Sequence, residues 1–157
     1  TYGGLQTFVP IPKKQIQLYQ KKYFRYIHTD FIKCVTNKND ELIAFCITMP
    51  SFTEALKKAK GKLFPFSFLY IIKALYFNSK ASFYLIGSHP KYQNKGVTAI
   101  IFNEMQKTFN RHGCDIVETN PELEENSSIQ NLWKNYEHRK HKRRLTVSKK
   151  IEKEAML

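Results

Sequence analysis

Residues 81–111 of the chain are ASFYLIGSHPKYQNKGVTAIIFNEMQKTFNR. Residues 81–87 are mostly apolar and predict a short strand, whereas the apolar residues from Val97 onward recur at helical spacing and predict a helix to Arg111. Gly96 stands directly before that helix. Because the first N–H groups of a helix are unpaired and lie at the positive end of its dipole, a glycine-bearing loop there can wrap a pyrophosphate. An ordinary connection with two solvated lysines, Lys91 and Lys95, is the alternative.

The residues before this segment predict a helix, a hairpin and two more helices. Residues 13–26 have a basic amphipathic pattern, and the β-rich runs 31–35 and 42–49 are separated by the turn-forming residues 37–40. Ser51 or Thr53 is predicted to cap a helix over 54–60, and another helix is expected near 66–77. Residues 1–12 form an extended lead-in, with one candidate strand at 5–9.

Downstream of the helix, the sequence predicts a strand, a helix and a last strand. His112 and Gly113 end the preceding helix, and residues 115–119 form the next strand. After the turn at Asn120 and Pro121, a helix is expected to carry Ile129, Leu132, Trp133 and Tyr136. Residues 144–151 alternate enough to predict a final strand after a very basic approach.

Composition favours one globular domain over residues 1–157. Of the 157 residues, 42% are hydrophobic, which excludes a disordered chain, and 26 Lys and Arg against 13 Asp and Glu give a formal charge of +13, which calls for anionic partners. The sequence lacks a membrane-span pattern and a signal-peptide pattern, so we expect a cytoplasmic protein. Cys34, Cys46 and Cys114 lack a zinc-binding spacing and are expected to be reduced, buried thiols, so no metal site is predicted.

The loop at 90–96 resembles a signature of the GNAT superfamily of acyl-CoA-dependent N-acyltransferases. That family has Gln/Arg-x-x-Gly-x-Gly/Ala after its fourth strand, preceded by a proline, and Pro90, Gln93 and Gly96 match it, whereas Thr98 departs from the usual Gly or Ala. The resemblance covers about residues 31–151. It implies an α/β (α+β) fold with a mixed, mainly antiparallel sheet and flanking helices. The family's first strand is either residues 5–9 or absent, and we expect the chain to be the C-terminal part of a longer polypeptide.

The resemblance implies acetyl-CoA or another acyl-CoA as cosubstrate and an amine acceptor, either a small molecule or a peptide. Backbone groups of the fourth strand bind pantetheine and the thioester carbonyl, the loop binds the pyrophosphate, and an Asn of the later helix faces the cofactor. The corresponding residues are Leu85, Ile86, Gly87 and Ser88, then Gln93, Asn94, Lys95, Gly96, Val97 and Thr98, and finally Asn126.

The catalytic groups are harder to assign. Glu118 is the first candidate for the base, because alternation places it with Cys114 and Ile116 on one strand face, although a purely structural acceptor role is equally favoured. In many family members a Tyr seven residues after the Asn protonates the thiolate of CoA. That position is Trp133, whose indole is too weak an acid, which leaves Tyr136 as the candidate.

Three alternatives stay open at this point. The basic residues near the end of the chain, together with the helix at 13–25, are compatible with a nucleic-acid-binding module. A domain that binds acyl-CoA without catalysis is compatible with Trp133. The aromatic segment is expected to pack in the core or against an upstream domain, rather than to line a site for a bulky or acyl-like substrate, and a homodimer is a further open alternative. The basic residues are Arg139, Lys140, Lys142, Arg143, Arg144, Lys149 and Lys150, and the aromatic ones are Phe64, Phe66, Phe68, Tyr70 and Tyr76.

Overall fold

The computed structural model describes residues 10–23, 28–62 and 64–148. The chain divides into two compact units, Thr1–Asn120 and Pro121–Leu157, which are considered separately. The prediction of one domain over 1–157 stays a prediction. The elements of the first unit are α1 (Lys13–Tyr23), β1 (Ile32–Thr36), β2 (Leu42–Pro50), α2 (Thr53–Lys58), α3 (Phe68–Tyr76), β3 (Lys80–Ser88), α4 (Val97–Arg111) and β4 (Ile116–Thr119). The second unit contains α5 (Ser127–Leu132).

The first unit has a four-stranded sheet in the order β1-β2-β3-β4. The pairs β1–β2 and β2–β3 are antiparallel, and β3–β4 is parallel. The prediction of a mixed, mainly antiparallel sheet with flanking helices is therefore confirmed. The candidate strand at 5–9 and the end of the first helix at 24–26 lie outside the described residues.

The hairpin of β1 and β2 closes through a side chain in its turn. The Asn37 carboxamide oxygen accepts hydrogen bonds from the N–H groups of Asn39 (2.9 Å) and Glu41 (3.0 Å). Asp40 adopts a left-handed conformation with φ 58°, which aspartate tolerates better than most residues. This local chemistry explains why the hairpin could be predicted from residues 37–40.

The core of the first unit lies between α4 and the sheet. Along α4 the buried side chains Ile101, Met105 and Phe109 recur at every fourth position, and they are 0–5% exposed. They pack against β1, β2 and β3, where Cys46 and Ala81 are fully buried. The helical spacing in the sequence therefore corresponds to a real apolar stripe.

The prediction that Cys34 is buried is wrong, and so is core packing of the aromatic segment, whereas its packing against an upstream domain stays a prediction. Cys34 is exposed on β1, which is an edge strand of the sheet, whereas Cys46 and Cys114 are buried as expected. The aromatic residues around α3 are not core residues, because that helix packs only one side while its aromatic side chains extend into solvent. Phe64, Phe66, Phe68, Tyr70 and Tyr76 are 85, 72, 43, 44 and 69% exposed.

Two predicted element boundaries also need correction. Phe52, not Ser51 or Thr53, occupies the N-cap of α2 and provides no side-chain cap. The Ser51 hydroxyl accepts a long 3.5 Å hydrogen bond from the Thr53 N–H and donates to the Thr53 hydroxyl at 3.3 Å. Residues 144–148 have no regular secondary structure, so the predicted last strand is wrong over that part, and 149–151 lie outside the described residues. None of the helices that the structure describes is long and apolar enough to cross a membrane.

Candidate functional site

Strand β3 changes character at Tyr84. Leu85 pairs with Ile47 of β2 and Phe83 pairs with the next residue, Thr48, so Tyr84 is an extra residue that forms a β-bulge. Phe83 is buried, whereas Tyr84 and Leu85 are both exposed. A bulge bends a strand and redirects the side chains that follow it. The second half of β3 therefore presents its residues differently from the first half.

The pairing of β3 with β4 ends at the same point. In the described part of the chain, their parallel pairing runs from Lys80 opposite Ile116 to Phe83 opposite Thr119. Beyond it, the N–H of Asn120 donates to the Phe83 carbonyl at 3.2 Å, and its carboxamide donates to the Tyr84 carbonyl at 3.0 Å. Asn120 thus ends the ladder. The sequence analysis treated Asn120 only as a turn residue.

The loop after β3 is anchored by its first residue. The His89 N–H donates to the carbonyl of Ile43 in β2 at 2.7 Å, and its Nδ1 accepts from the Lys91 N–H at 3.2 Å. The second bond caps the short 3-10 helix Pro90–Tyr92. His89 is exposed, and these contacts assign it a structural role.

Residues 93–96 form an exposed turn that leads into α4. Asn94 has φ 59° and Gly96 has φ 77°, and a Cβ added to Gly96 would meet nothing within 4 Å. Val97 is buried and fixes the start of the helix against the core. The backbone before it is consequently held in place while its outer side stays open.

The charge around this turn is positive. Lys91 and Lys95 are exposed, and the Lys95 ammonium lies 5.6 Å from the centre of the Tyr92 ring. The first turn of α4 contains no acidic residue. Together with the positive end of the helix dipole, this composition favours an anion over a cation at this end of α4.

The predicted site residues of the first unit occupy three neighbouring segments. Leu85, Ile86, Gly87 and Ser88 form the part of β3 beyond the bulge, Gln93, Asn94, Lys95 and Gly96 form the exposed turn, and Val97 and Thr98 begin α4. Glu118 is half-buried in β4, opposite Ser82. Their roles in binding and catalysis stay predictions.

The other predicted residues belong to the second unit. The Asn126 carboxamide oxygen accepts a 3.4 Å hydrogen bond from the Ile129 N–H and caps α5. The Trp133 indole N–H donates to the Glu122 carboxylate at 2.9 Å. Tyr136 follows in extended conformation and is 45% exposed. The two predicted catalytic residues, Glu118 and Tyr136, thus lie in separate units.

In the described part of the second unit, Arg143 of the basic segment forms an ion pair with Glu124. Arg143 contacts both carboxylate oxygens of Glu124, through Nε at 2.9 Å and Nη2 at 3.0 Å. Both side chains are largely exposed, so the pair adds little stability. The pair does neutralise Arg143, which is one of the basic residues on which the nucleic-acid-binding alternative depends.

A cluster of His28, Asp30 and His112 is brought together in the first unit. His112 Nε2 lies 3.1 Å from Asp30 Oδ2, although the two residues are 82 positions apart in the chain. The Arg111 guanidinium is 3.6 Å from the same oxygen. Because no local spacing connects residues 28–30 with 112, sequence patterns gave no signal for this cluster.

Comparison with protein-family models gives no match, and comparison with curated protein sequences gives none of significance. Solved structures do match. AAC(6')-Iy in complex with the bisubstrate analogue CoA-S-monomethyl-acetylneamine has TM-score 0.54 and 12% identity over 93% of this chain and 86% of that one. Aminoglycoside 6'-N-acetyltransferase AAC(6')-Ih from Acinetobacter baumannii has TM-score 0.51 and 11% identity, covering 91% and 97%. The chain therefore has the GNAT fold that the resemblance at residues 90–96 implies.

Proposed function

We propose that this chain is an acyltransferase that moves an acetyl or other acyl group from acyl-CoA to an amine acceptor by direct attack. The proposal is supported by the fold, since one of the similar structures is an aminoglycoside acetyltransferase and the other binds a bisubstrate analogue that contains CoA. The acceptor is a small-molecule or peptide amine. Cytoplasmic localisation is part of the same proposal.

The observation that carries the proposal is the end of the β3–β4 ladder next to an open helix N-terminus. The described pairing runs only to Phe83 opposite Thr119, β3 bulges at Tyr84, and the chain then reaches the exposed turn before α4 with Gly96 at φ 77°. In this proposal the pantetheine arm lies along the second half of β3 and the pyrophosphate lies at the turn. Lys91 and Lys95 add favourable charge for the phosphates.

The chemistry requires alignment, oxyanion stabilisation and two proton movements. The amine nitrogen bonds to the thioester carbonyl carbon, and the C–S bond breaks to release the thiolate of CoA. Backbone N–H groups between Leu85 and Ser88 are the proposed donors to the oxyanion. Loss of one such donor typically costs on the order of 3 kcal/mol of transition-state stabilisation.

The proton removed from the amine is assigned to Glu118 of the first unit, and for the proton given to the thiolate Tyr136 stays the sequence-based candidate. An alkyl ammonium has a pKa of about 10, so a base must remove its proton before attack. Glu118 is half-buried in β4, next to the strand that would hold the thioester, and takes this proton directly or through water. Tyr136 is the proposed donor to the leaving thiolate.

A second candidate is an acyl-CoA-binding domain without catalysis. It is favoured by Trp133, which stands where many family members have the Tyr acid and whose N–H is held by Glu122. Under this alternative, Glu118 is a structural residue. Both candidates use the same cofactor site, so they differ only in whether the protein transfers the acyl group to an amine.

Calorimetric titration with CoA and acetyl-CoA tests the binding site, and a thiol-release assay with a panel of amines tests transfer. We expect both nucleotides to bind and to raise the melting temperature, and acetyl-CoA to release thiol with an amine present. Binding without release across the panel favours the non-catalytic candidate. No binding of CoA, together with salt-sensitive binding to mixed RNA or DNA, contradicts the proposal and favours a nucleic-acid module.

Replacing Gly96 tests whether the phosphates of CoA bind at the turn before α4. Gly96→Leu places a side chain at the turn and should weaken CoA binding more than tenfold. Gly113→Leu is the matched control, because Gly113 has φ 65° at the other end of α4 and a Cβ there also meets nothing within 4 Å. Both variants carry a similar backbone strain of about 1–2 kcal/mol. Equal CoA affinity of the two variants would place the phosphates elsewhere.

A further inference from the structure

The cluster of His28, Asp30 and His112 has the composition and nearly the geometry of a metal site. Its three donor atoms all lie within 4.8 Å of one another. His112 Nε2 is 3.1 Å and His28 Nδ1 is 4.0 Å from Asp30 Oδ2. Two imidazoles and one carboxylate are a donor set that Zn²⁺ and similar divalent ions prefer.

The cluster is built on elements that the core fixes. His28 is the N-cap of the 3-10 helix Thr29–Phe31, and His112 is the C-cap of α4. Phe31 is 1% exposed and its ring centre lies 4.9 Å from that of His112. The buried Thr48 hydroxyl donates to the Phe31 carbonyl at 3.0 Å. The donors therefore start from anchored backbone, which limits the entropy lost on binding an ion.

We propose that His28, Asp30 and His112 bind a divalent transition-metal ion, with Zn²⁺ as the best match. Metal–ligand bonds of about 2.0–2.1 Å place tetrahedral ligand atoms about 3.3 Å apart. The pair of His112 and Asp30 already meets this separation. Because the donor atoms lie up to 4.8 Å apart, the widest pair must close by about 1.5 Å, and His28 Nδ1 must give up the 3.2 Å hydrogen bond that it accepts from the Asp30 N–H. The ion replaces the proton that His112 shares with Asp30, and the negative end of the α4 dipole favours the cation.

Arg111 is the competitor of the ion. Its guanidinium lies 3.6 Å from Asp30 Oδ2, but the side chain is 67% exposed and can turn into solvent. Removing this charge gives a result that separates the metal site from a simple ion-pair cluster. Arg111→Gln should tighten zinc binding several-fold, whereas a cluster that only holds an ion pair gains no affinity for zinc.

The experiment titrates tag-free, chelator-treated protein with Zn²⁺ and Co²⁺ by calorimetry, melting temperature and Co²⁺ absorption. The variants are His28→Ala, Asp30→Asn and His112→Ala. His89→Ala is the matched control, because His89 Nδ1 accepts from the N–H two residues on at 3.2 Å, as His28 Nδ1 does. His28→Ala and His89→Ala therefore each lose the same kind of helix-capping hydrogen bond.

We expect wild type and His89→Ala to bind Zn²⁺ with a raised melting temperature and a Co²⁺ spectrum of low coordination number. Each of the three cluster variants should lose at least tenfold in affinity, and circular dichroism verifies that they are folded. Absence of Zn²⁺ binding by wild type, or wild-type affinity in folded His28→Ala, overturns the proposal. The experiment uses no acyl-CoA, so its outcome is independent of the proposed function.

Discussion

The two ends of α4 use the same backbone device in opposite electrostatic surroundings. Gly96 precedes the helix with φ 77° and Gly113 follows it with φ 65°. At the first end, Lys91 and Lys95 surround an exposed turn. At the second, Asp30 draws Arg111 and His112 together. Each end thus adds to what the helix dipole already favours, an anion at the N-terminus and a cation at the C-terminus.

This difference teaches that a helix can be held by its middle and leave both ends available for binding. The buried stripe of Ile101, Met105 and Phe109 fixes α4 on the sheet. A Cβ added to Gly96 or to Gly113 would meet nothing within 4 Å, so the space beside both glycines is open. Substitutions of buried residues in the middle should therefore lower stability most, whereas substitutions of exposed residues at the ends should act mainly on ligand binding.

The largest expected effect is on stability in the middle of α4. Met105→Ala removes a side chain that is 0% exposed and should lower the free energy of unfolding by about 2–5 kcal/mol. Ile100→Ala on the same helix is the control, since Ile100 is 55% exposed. Urea denaturation measures both. Similar losses in the two variants would contradict the assignment of the buried stripe.

The next largest effect is on anion binding at the N-terminal end. Lys91→Gln with Lys95→Gln should lower acetyl-CoA affinity about tenfold and reduce its salt dependence, because two cations near the phosphates are removed. Lys107→Gln is the control, since the Lys107 ammonium pairs with Glu104 at 2.6 Å further along α4. Calorimetry at two salt concentrations provides the measurement. Unchanged affinity in the double variant would remove these lysines from the site.

A smaller, pH-dependent effect is expected at the C-terminal end. The hydrogen bond from His112 holds the pKa of Asp30 below its ordinary value, and the charges of His28 and Arg111 act in the same direction. A lowered carboxyl pKa contributes stability above the unfolded value, near pH 4, and this contribution is lost as pH falls through the folded value. The stability difference between wild type and Asp30→Asn should therefore narrow between pH 6 and pH 3 in urea denaturation. A constant difference would mean that Asp30 is not stabilised as an anion.

The smallest effect is on thiol labelling near the same end. Burial raises the pKa of Cys46 to about 12, and burial with the charge of Asp115 raises the pKa of Cys114. Since the thiolate is the reactive form, exposed Cys34 should react with a disulfide reagent at pH 8 while Cys46 and Cys114 stay protected. Counting the released thiolate checks this. In Gly113→Leu, rapid reaction of Cys114 would reveal a disturbed C-terminal end and disqualify that variant as a control.

The parts that the sequence predicted correctly depend on local signals. Val97–Arg111 was predicted with its observed bounds, because Gly96, the apolar spacing and His112-Gly113 all lie within one short segment. The hairpin was equally local, since its turn is closed by Asn37. The mixed sheet was predicted from the resemblance at Pro90, Gln93 and Gly96.

The parts that the sequence missed depend on pairing between distant segments. The bulge at Tyr84 exists only in relation to Ile47 and Thr48, and no propensity distinguishes it from a regular strand residue. The structural role of Asn120 likewise depends on a distant residue, because its carboxamide donates to the Tyr84 carbonyl. The exposure of Phe64 and Phe66 could not be foreseen either, because an aromatic run has the same pattern whether it is covered or not.

The extra residue in β3 has a consequence for any attempt to transplant or redesign this strand. A strand advances about 3.3 Å per residue and reverses its face at each step. Excising Tyr84 would leave 85–88 opposite their present partners in β2, whereas pairing Tyr84 itself with Ile47 would move 85–88 by one position and exchange their inward and outward side chains. Sequence alignment software that treats position 84 as an ordinary column would therefore misassign every residue between it and the following loop.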